Sequence, residues 1–168
     1  GEVARRLPLT RPLHAAGLRR YGFHGLSCES VLRQIGPPTE ASLPARIVIA
    51  HLGQGSSVTA VRSGRSIDTS MGFTPTSGLV MSTRSGDLDP GIAPFLARTE
   101  KMTTSAFYQM VTHQSGLLGV SETSSDMRDL LAKEAEDVRA AAGHVAAMIS
   151  RFRPGAAAGR RRRSPARR

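Results

Sequence analysis

The fold of this chain is decided by the stretch Ile47-Val48-Ile49-Ala50-His51-Leu52-Gly53-Gln54-Gly55-Ser56-Ser57. Its first part is apolar and β-branched, so Arg46 to Leu52 is predicted to be a β-strand. Val58 to Arg62 alternates as a second strand, Ser63-Gly64 turns, and Arg65 to Thr69 returns as a third. The pattern therefore predicts a strand and hairpin meander with a glycine-rich corner at its first turn.

Helices are predicted on both sides of this meander. Before it, a turn is predicted at Tyr21 to Gly25 and a short helix at Ser27 to Ile35. Leu26, Val31 and Ile35 are predicted to share one face of this helix. Gly36-Pro37-Pro38 is predicted to end it. After it, helices are predicted at Ile92 to Leu96, at Thr104 to Thr112 with Phe107, Met110 and Val111 on its apolar face, and from Ser125 to Pro154 with Ser125 or Asp126 as N-cap.

A long segment, Met71 to Pro90, lacks periodicity and is rich in Gly, Ser, Thr and Pro. A loop of this length inside a compact domain is usually functional. The sequence therefore directs the search for a site to this loop and to the glycine corner.

The general properties of the chain indicate a soluble cytoplasmic protein. Its 168 residues suit one ordinary domain, and no apolar run approaches the roughly 20 residues of a membrane helix. The single cysteine, Cys28, has no partner for an internal disulfide, which fits a reducing compartment. Gly1-Glu2-Val3 lacks an initiator Met and a signal peptide, which predicts sequence upstream.

The net charge of +10 is concentrated at one end of the chain. Residues 151–168 hold eight Arg and no acidic residue, and without them the chain keeps 15 basic and 13 acidic residues, or a net +2. Such a tail is typical of disordered, solvated sequence. The alternative is that the tail binds nucleic acid non-specifically through counterion release. Because the domain without the tail is nearly neutral, nucleic acid is not expected to be a partner of the domain itself.

The glycine corner, residues 51–57, is the first candidate site. Two closely spaced glycines after a strand let backbone N–H groups approach an anion without interference from a Cβ, and the serines add donors. The pattern suits phosphates, but it also suits an ordinary tight turn. A Walker loop is excluded because no Gly-Lys-Ser/Thr follows, and a Rossmann fingerprint is excluded because a hairpin follows.

Three further segments carry groups that could take part in chemistry. Arg84, on the polar loop, could give bidentate donors to a phosphoryl or carboxylate group, or could pair with Asp87 or Asp89 to hold the loop. His24 could donate to a developing charge or could be structural. Asp126-Met127-Arg128 could hold the sugar or base of a nucleotide; otherwise Asp126 caps a helix and Arg128 faces elsewhere.

In this order, the segments resemble the acetate kinase family. Six blocks carry the resemblance, which spans roughly residues 17–152: Arg19 to Gly25, His51 to Ser56, Asp68 to Pro75, Thr83 to Pro90, Ser115 to Ser121 and Ser124 to Asp129. Propionate and butyrate kinases belong to the same superfamily, but the blocks around His24 and Arg84 look most like acetate kinase.

The resemblance implies an α/β protein with the actin-like ATPase (ribonuclease H-like) fold, incomplete and made mostly of the start of the C-terminal domain. It implies transfer of the ATP γ-phosphoryl group to acetate, which yields ADP and acetyl phosphate, with Mg²⁺ and in a homodimer. His24 and Arg84 would stabilise the transition state. Residues 51–55 (His51, Leu52, Gly53, Gln54 and Gly55) would cradle the phosphates, and Asp126, Met127 and Arg128 would contact the nucleoside end.

The sequence departs from the family pattern at single positions. Gln54 replaces a usual Asn, Leu26 and Cys28 replace Thr and His, and Ser82 and Glu122 each replace a usual Gly. None of these changes removes a charged catalytic group.

Larger departures lie at the ends. The family's metal ligands, its carboxylate-binding Arg and its catalytic Asp have no counterpart here, so no metal-binding residue is assigned. The predicted organisation is a linker or remnant at 1–18, a partial nucleotide-binding domain at 19–152 and an Arg-rich tail at 153–168. The abrupt change after Phe152 resembles a shifted reading frame, a hypothesis that sequencing the locus would test. The chain is predicted to be an inactive fragment of an acetate kinase, with a non-catalytic nucleotide-binding remnant as the alternative.

Overall fold

A computed structural model describes residues 3–36, 46–133 and 135–137. One turn of 3₁₀ helix at Val3–Arg5 comes first. The helices and strands that follow in chain order are α1 (Arg11–Ala15), α2 (Gly25–Ile35), β1 (Arg46–Leu52), β2 (Ser56–Arg62), β3 (Arg65–Thr69), α3 (Ile92–Thr99), α4 (Thr104–His113), α5 (Gly116–Ser121) and α6 (Met127–Ala132).

The strands form a three-stranded antiparallel sheet in the order β1-β2-β3. Ile49 pairs with Thr59, and Leu52 pairs with Ser56 across the glycine corner. A bulge between Ala60 and Val61 shifts the register of β2 against β3. The predicted meander is confirmed, and β2 begins two residues earlier than predicted.

Helix α2 packs on one face of this sheet. Cys28, Ile49 and Val61 form a buried cluster, and the side chains of Val31, Leu32 and Ile47 pack against it. The predicted apolar face of the helix was wrong in part, because Leu26 is 85% exposed and Ile35, at the end of the helix, is exposed as well. Positions two apart on a helix point about 200° apart, so once Cys28 faces the sheet, Leu26 must face away from it.

A second buried cluster joins the C-terminal helices to the long loop. Leu117 of α5 and Leu130 of α6 are buried against each other, with Val80 and Met127 beside them. In α4 the predicted apolar face is confirmed, since Val111 is buried while Phe107 and Met110 are half-buried. These helices therefore fix the loop that carries the candidate residues.

The first segment of the chain is tied to the end of β3. Arg20 donates from Nη1 to the Asp68 carboxylate at 3.1 Å, and its guanidinium also donates to the carbonyls of Thr69 and Met71. The amide of Tyr21 donates to the Gly72 carbonyl at 3.0 Å. The short helices before Arg20 had no period in the sequence from which to predict them.

Helix α6 begins where predicted, with Asp126 as its N-cap. The prediction of a helix from Ser125 to Pro154 is wrong in part, because α6 ends at Ala132 and residues 135–137 are not helical. The rest of that predicted helix, from residue 138, lies outside the described residues, as does the Arg-rich tail. The proposed boundaries at 18 and 152 stay predictions. Within the described ranges, the helices are too short or too polar to span a membrane.

The cluster around Leu130 yields a stability prediction. Leu130 has no exposed surface, whereas its neighbour Leu131 is 53% exposed. Leu130→Ala should lower the free energy of unfolding by about 2–5 kcal/mol, because a buried leucine loses both its transfer energy and its packing partners. Leu131→Ala is the matched control, with an expected change of about 0.5 kcal/mol. Urea unfolding of both variants measures the difference; equal losses would contradict the assignment of Leu130 to the core.

Candidate active site

The glycine corner closes through its own backbone. The Gly53 amide donates to the Gly55 carbonyl at 3.2 Å, and the Ser56 hydroxyl donates to the Gly53 carbonyl at 3.3 Å. From the long loop, the Ser82 amide donates to the Gln54 carbonyl at 3.3 Å. The Gly53 amide is thus engaged in the turn, so the amides of Gln54 and Gly55 are the backbone candidates for an anion.

A cavity of about 510 Å³ opens beside this corner. Its size lies within the range of small-molecule sites. The corner, the start of α6 and several apolar side chains all contribute to its wall. The residues that line it are Leu52, Gly53, Gln54, Ser56, Val80, Met81, Ser82, Leu117, Ser125, Asp126, Met127 and Arg128.

The α6 end of the cavity carries an ion pair between Asp126 and Arg128. Asp126 Oδ1 accepts from the Arg128 amide at 2.8 Å, which makes Asp126 the helix cap. The Arg128 guanidinium turns back on the same carboxylate, with Nε 3.1 Å from Oδ1 and Nη2 2.5 Å from Oδ2. These side-chain hydrogen bonds, followed by the bond from the amide, lower the pKa of Asp126 to about 2. The interpretation of Asp126 as a helix cap is confirmed. The interpretation that Arg128 faces elsewhere is wrong, because its side chain bonds Asp126.

His24 lies at the start of α2, on the other side of the corner. Its backbone is left-handed (φ 61°, ψ 19°), and its ring stacks on His51 with centroids 3.9 Å apart and planes 21° apart. Its Nδ1 is 2.9 Å from the Ser57 hydroxyl. Burial first, then the nearby His51 and then the Arg84 charge lower the pKa of His24 below its ordinary value of 6.5. The neutral form of the ring therefore predominates at pH 7.

Arg84 is held by the loop around it. Its Nη1 donates to the Pro75 carbonyl at 3.3 Å and lies 3.9 Å from the Met81 sulfur. The two carboxylates considered as its partners hold backbone groups instead. Asp87 accepts from the Gly78 amide at 2.7 Å, and Asp89 accepts from the Gly91 amide at 2.7 Å.

The backbone that carries Arg84 is clamped by α4 and α5. The Ser115 amide donates to the Thr83 carbonyl at 3.0 Å, and the Leu117 amide donates to the Met81 carbonyl at 2.8 Å. Gly116 lies so close to this loop that a Cβ there would be 2.2 Å from the Met81 carbonyl oxygen, and its φ is +66°. Only glycine satisfies both conditions, so the contact that orients Arg84 depends on Gly116.

His24, Arg84 and the glycine corner converge on Gly55. A Cβ built on Gly55 would lie 3.1 Å from His24 Nε2 and 3.3 Å from Arg84 Nη1. The structure thus brings the predicted residues together in two groups that share the corner. His24, His51, Gly55 and Arg84 lie on one side, and Leu52, Gly53, Gln54, Asp126, Met127 and Arg128 line the cavity.

Several contacts at the site were not predicted from the sequence, where Ser57 was considered only as a donor to phosphate. Ser57 and Ser27 each contact a histidine Nδ1, Pro75 accepts from Arg84, and Val80 and Leu117 line the cavity. The signal was partial: Ser57 lies in the opening stretch and Pro75 in a resembling block, but their partners are distant in sequence. Only tertiary contacts reveal them.

Metal ligands were not expected in this chain. Within the residues that the structure describes, no group of three or more His, Cys, Asp and Glu side chains is arranged to hold a metal ion. Mg²⁺ needs few protein ligands when phosphates supply the others. We therefore assign no Mg²⁺ ligand among these residues.

Comparison with known protein families gives a match over nearly the whole chain. The model of the acetokinase family matches residues 4–158. The chain is 43% identical over 137 residues to the acetate kinase of Rickettsia akari, which covers 82% of the chain and 36% of that protein. It is 50% identical over 118 residues to a propionate kinase of Salmonella typhimurium, covering 68% and 28%. The chain spans about a third of the length of these curated relatives.

Solved structures give the same result for the fold. An acetate kinase of Porphyromonas gingivalis superposes with a TM-score of 0.77 at 36% identity, covering 90% of this chain and 38% of that one. A propionate kinase of Francisella tularensis gives 0.79 at 35% identity, covering 89% and 41%. The predicted fold class is confirmed: the chain is a mixed helix and sheet part of the actin-like ATPase fold.

The environment of His24 predicts a pH-dependent stability. Because the pKa of His24 is lower in the folded chain than its ordinary 6.5, the unfolded chain binds this proton at higher pH. The contribution of neutral His24 to the unfolding free energy is therefore full above about pH 6.5 and is lost as pH falls below it. NMR titration of the ring should give a pKa below 6.5.

Two arginine variants test the cause of that shift. Arg84→Gln should raise the pKa of His24, because it removes a nearby positive charge. Arg98→Gln on α3 is the control, since Arg98 lies over Phe95, and should leave that pKa unchanged. A titration in which Arg84→Gln has no effect would contradict the proximity of the two side chains.

Proposed function

The chain belongs to the acetokinase family, and we propose that it forms the nucleotide-binding part of a kinase that phosphorylates a short-chain carboxylate. The single observation that carries the proposal is the convergence of His24 and Arg84 on Gly55, beside a cavity that ends at Asp126. Acetate is our proposed acceptor and ATP the donor, which would yield acetyl phosphate and ADP. In this proposal residues 19–152 form the nucleotide-binding domain, Mg²⁺ accompanies the ATP, and the family's homodimer is the assembly.

The charges at the site support one orientation of ATP. Arg84 and the donors of the corner attract phosphates, whereas Arg128 is paired with Asp126, so the α6 end offers phosphates no net positive charge. Asp126 suits the hydroxyl groups of a ribose, because an ionised carboxylate is a strong acceptor. Val80, Leu117 and Met127 provide apolar surface for a base between the two ends. We infer that the phosphates lie at Gly53–Gly55 and the nucleoside at Asp126–Arg128.

The chemistry that these residues would supply is electrostatic. In phosphoryl transfer the bond from the γ-phosphorus to the β–γ bridging oxygen breaks as a bond to the acceptor oxygen forms, and charge spreads over the equatorial oxygens. Arg84 would donate to those oxygens, and His24, neutral at pH 7, would donate from Nε2. Removing one such donor typically costs about 3 kcal/mol of transition-state stabilisation. The clamp around Gly116 keeps Arg84 in place before substrate arrives.

The orientation of the nucleotide predicts two different losses of affinity. Asp126→Asn should weaken both adenosine and ATP by about tenfold, because each loses a hydrogen bond to a charged acceptor. Asn still caps the helix, so the fold is preserved. Arg84→Ala should weaken ATP by about tenfold and leave adenosine unchanged. Isothermal titration measures all four affinities.

Matched controls separate these losses from general damage. The control for Asp126→Asn is Asp129→Asn, because Asp129 is on the same helix but does not line the cavity. The control for Arg84→Ala is Arg33→Ala, because Arg33 is exposed on α2. Both should bind ATP and adenosine as the unchanged chain does. If Arg84→Ala weakened adenosine and ATP equally, the proposed orientation would be wrong.

Catalysis by the 168 residues alone is a separate question. The chain spans about a third of the relatives' length, and we propose that groups for the acceptor carboxylate come from sequence outside it. The pure chain should therefore form no acetyl phosphate from ATP and acetate, as a hydroxamate assay would measure. Turnover that depends on both substrates would overturn this part of the proposal, while the binding experiments would still stand.

A further inference from the structure

Two imidazole rings at the corner are held by two serines in the same way. His24 Nδ1 is 2.9 Å from Ser57 Oγ, and His51 Nδ1 is 2.9 Å from Ser27 Oγ. In each ring this leaves Nε2 for the glycine corner. His24 Nε2 is 3.1 Å from the position of a Cβ on Gly55, and His51 Nε2 is 3.7 Å from that of a Cβ on Gly53.

We propose that Ser57 is a positioning residue, which donates its hydroxyl proton to His24 Nδ1 and so keeps the single proton of the neutral ring on Nε2. The catalytic meaning of this assignment rests on the proposed function. A neutral imidazole has one donor and one acceptor nitrogen, and the partner of one nitrogen decides the state of the other. With the proton on Nε2, the ring offers an N–H to an anion at Gly55; with the proton on Nδ1, it offers a lone pair.

The surroundings of His24 Nε2 favour the protonated form. Arg84 lies next to it and is a donor only, so an unprotonated Nε2 would be a natural acceptor for the guanidinium. Among the described residues, however, Arg84 Nη1 donates to the Pro75 carbonyl and approaches the Met81 sulfur. The Arg84 guanidinium and the His24 Nε2–H group therefore lie side by side as two donors. This arrangement suits an anionic ligand that accepts from both better than a hydrogen bond between them.

The surroundings of Ser57 explain why it can fix the tautomer. Its side chain has no exposed surface, so water does not compete for the hydroxyl. Ser57 lies on β2, where it pairs with His51 of β1, and the sheet register thus sets the position of Oγ. Ser57 belongs to β2, and His24 is the residue immediately before α2. The hydrogen bond between their side chains therefore joins the sheet to the start of the helix.

The test is the protonation state of each ring nitrogen, read from ¹⁵N chemical shifts of the labelled full chain above pH 7. In the unchanged chain His24 should carry its proton on Nε2. Ser57→Ala should shift the tautomer ratio about fivefold toward Nδ1–H, the effect expected from one hydrogen bond. A merely structural serine would leave the ratio unchanged.

Two further variants keep the result independent of packing. Ser57→Thr and Ser57→Val have nearly the same shape, but only threonine keeps the hydroxyl; Thr should retain the Nε2–H form and Val should lose it. Ser27→Ala should alter His51 and leave the tautomer of His24 as it was. Backbone amide spectra show whether each variant is folded.

Each outcome decides the proposal. A proton on His24 Nδ1 in the unchanged chain would overturn it without any variant, and so would equal tautomer ratios in the Thr and Val variants. The NMR measurement needs no nucleotide. A chain that keeps the Nε2–H form but binds no ATP would therefore defeat the proposed function and leave the role of Ser57 intact.

Discussion

The site depends on the antiparallel pairing of β1 with β2. This ladder places Leu52 opposite Ser56, so the chain must reverse through Gly53, Gln54 and Gly55. The same register turns Ile49 toward α2, where Cys28 packs on it. Since α2 begins immediately after His24, packing of the helix on the sheet also brings the His24 ring to the corner. A shift of one residue would exchange the two faces of the strand and separate all of these groups.

Arg84 reaches the corner by a different route, through backbone hydrogen bonds of a loop without regular structure. Buried polar groups of a loop need partners, and here the partners are the amides at the start of α5 and the carbonyls at the end of α4. The buried pair Leu117 and Leu130 supplies the apolar contact that holds α5 and α6 beneath the loop. The position of the guanidinium thus rests on a helix start, a glycine and a small core. A loop supported in this way can carry a catalytic group without being flexible.

The strands could be predicted because their signal is local. Three segments with apolar, β-branched alternation and short turns left little choice of topology, and the family resemblance supplied the fold. The prediction of the apolar face of α2 was partly wrong, because the burial of Cys28 was not visible in the sequence. The family usually has His at this position. Glu122 stands where the family usually has Gly, and the structure gives the reason for that preference: its φ is 53° at the end of α5. The roles of Ser57 and Pro75 could not be predicted, since each depends on a partner brought close only by tertiary folding.

The two groups of residues at the site differ in a way that composition alone conceals. Removing residues 151–168 leaves a chain with a net charge of only +2, yet the two arginines at the site differ in their partners. Arg128 is not a second free cation for phosphates, because its guanidinium already makes two bonds to Asp126 and the combined charge of the pair is near zero. Among the described residues, the hydrogen bonds of Arg84 Nη1 go to a carbonyl and a sulfur and not to a carboxylate, and this nitrogen lies beside Gly55. The neutral His24 beside it adds a donor without adding a second positive charge, which would be repelled by Arg84 in the absence of an anion. The electrostatic difference between the two groups therefore comes from how each arginine is partnered.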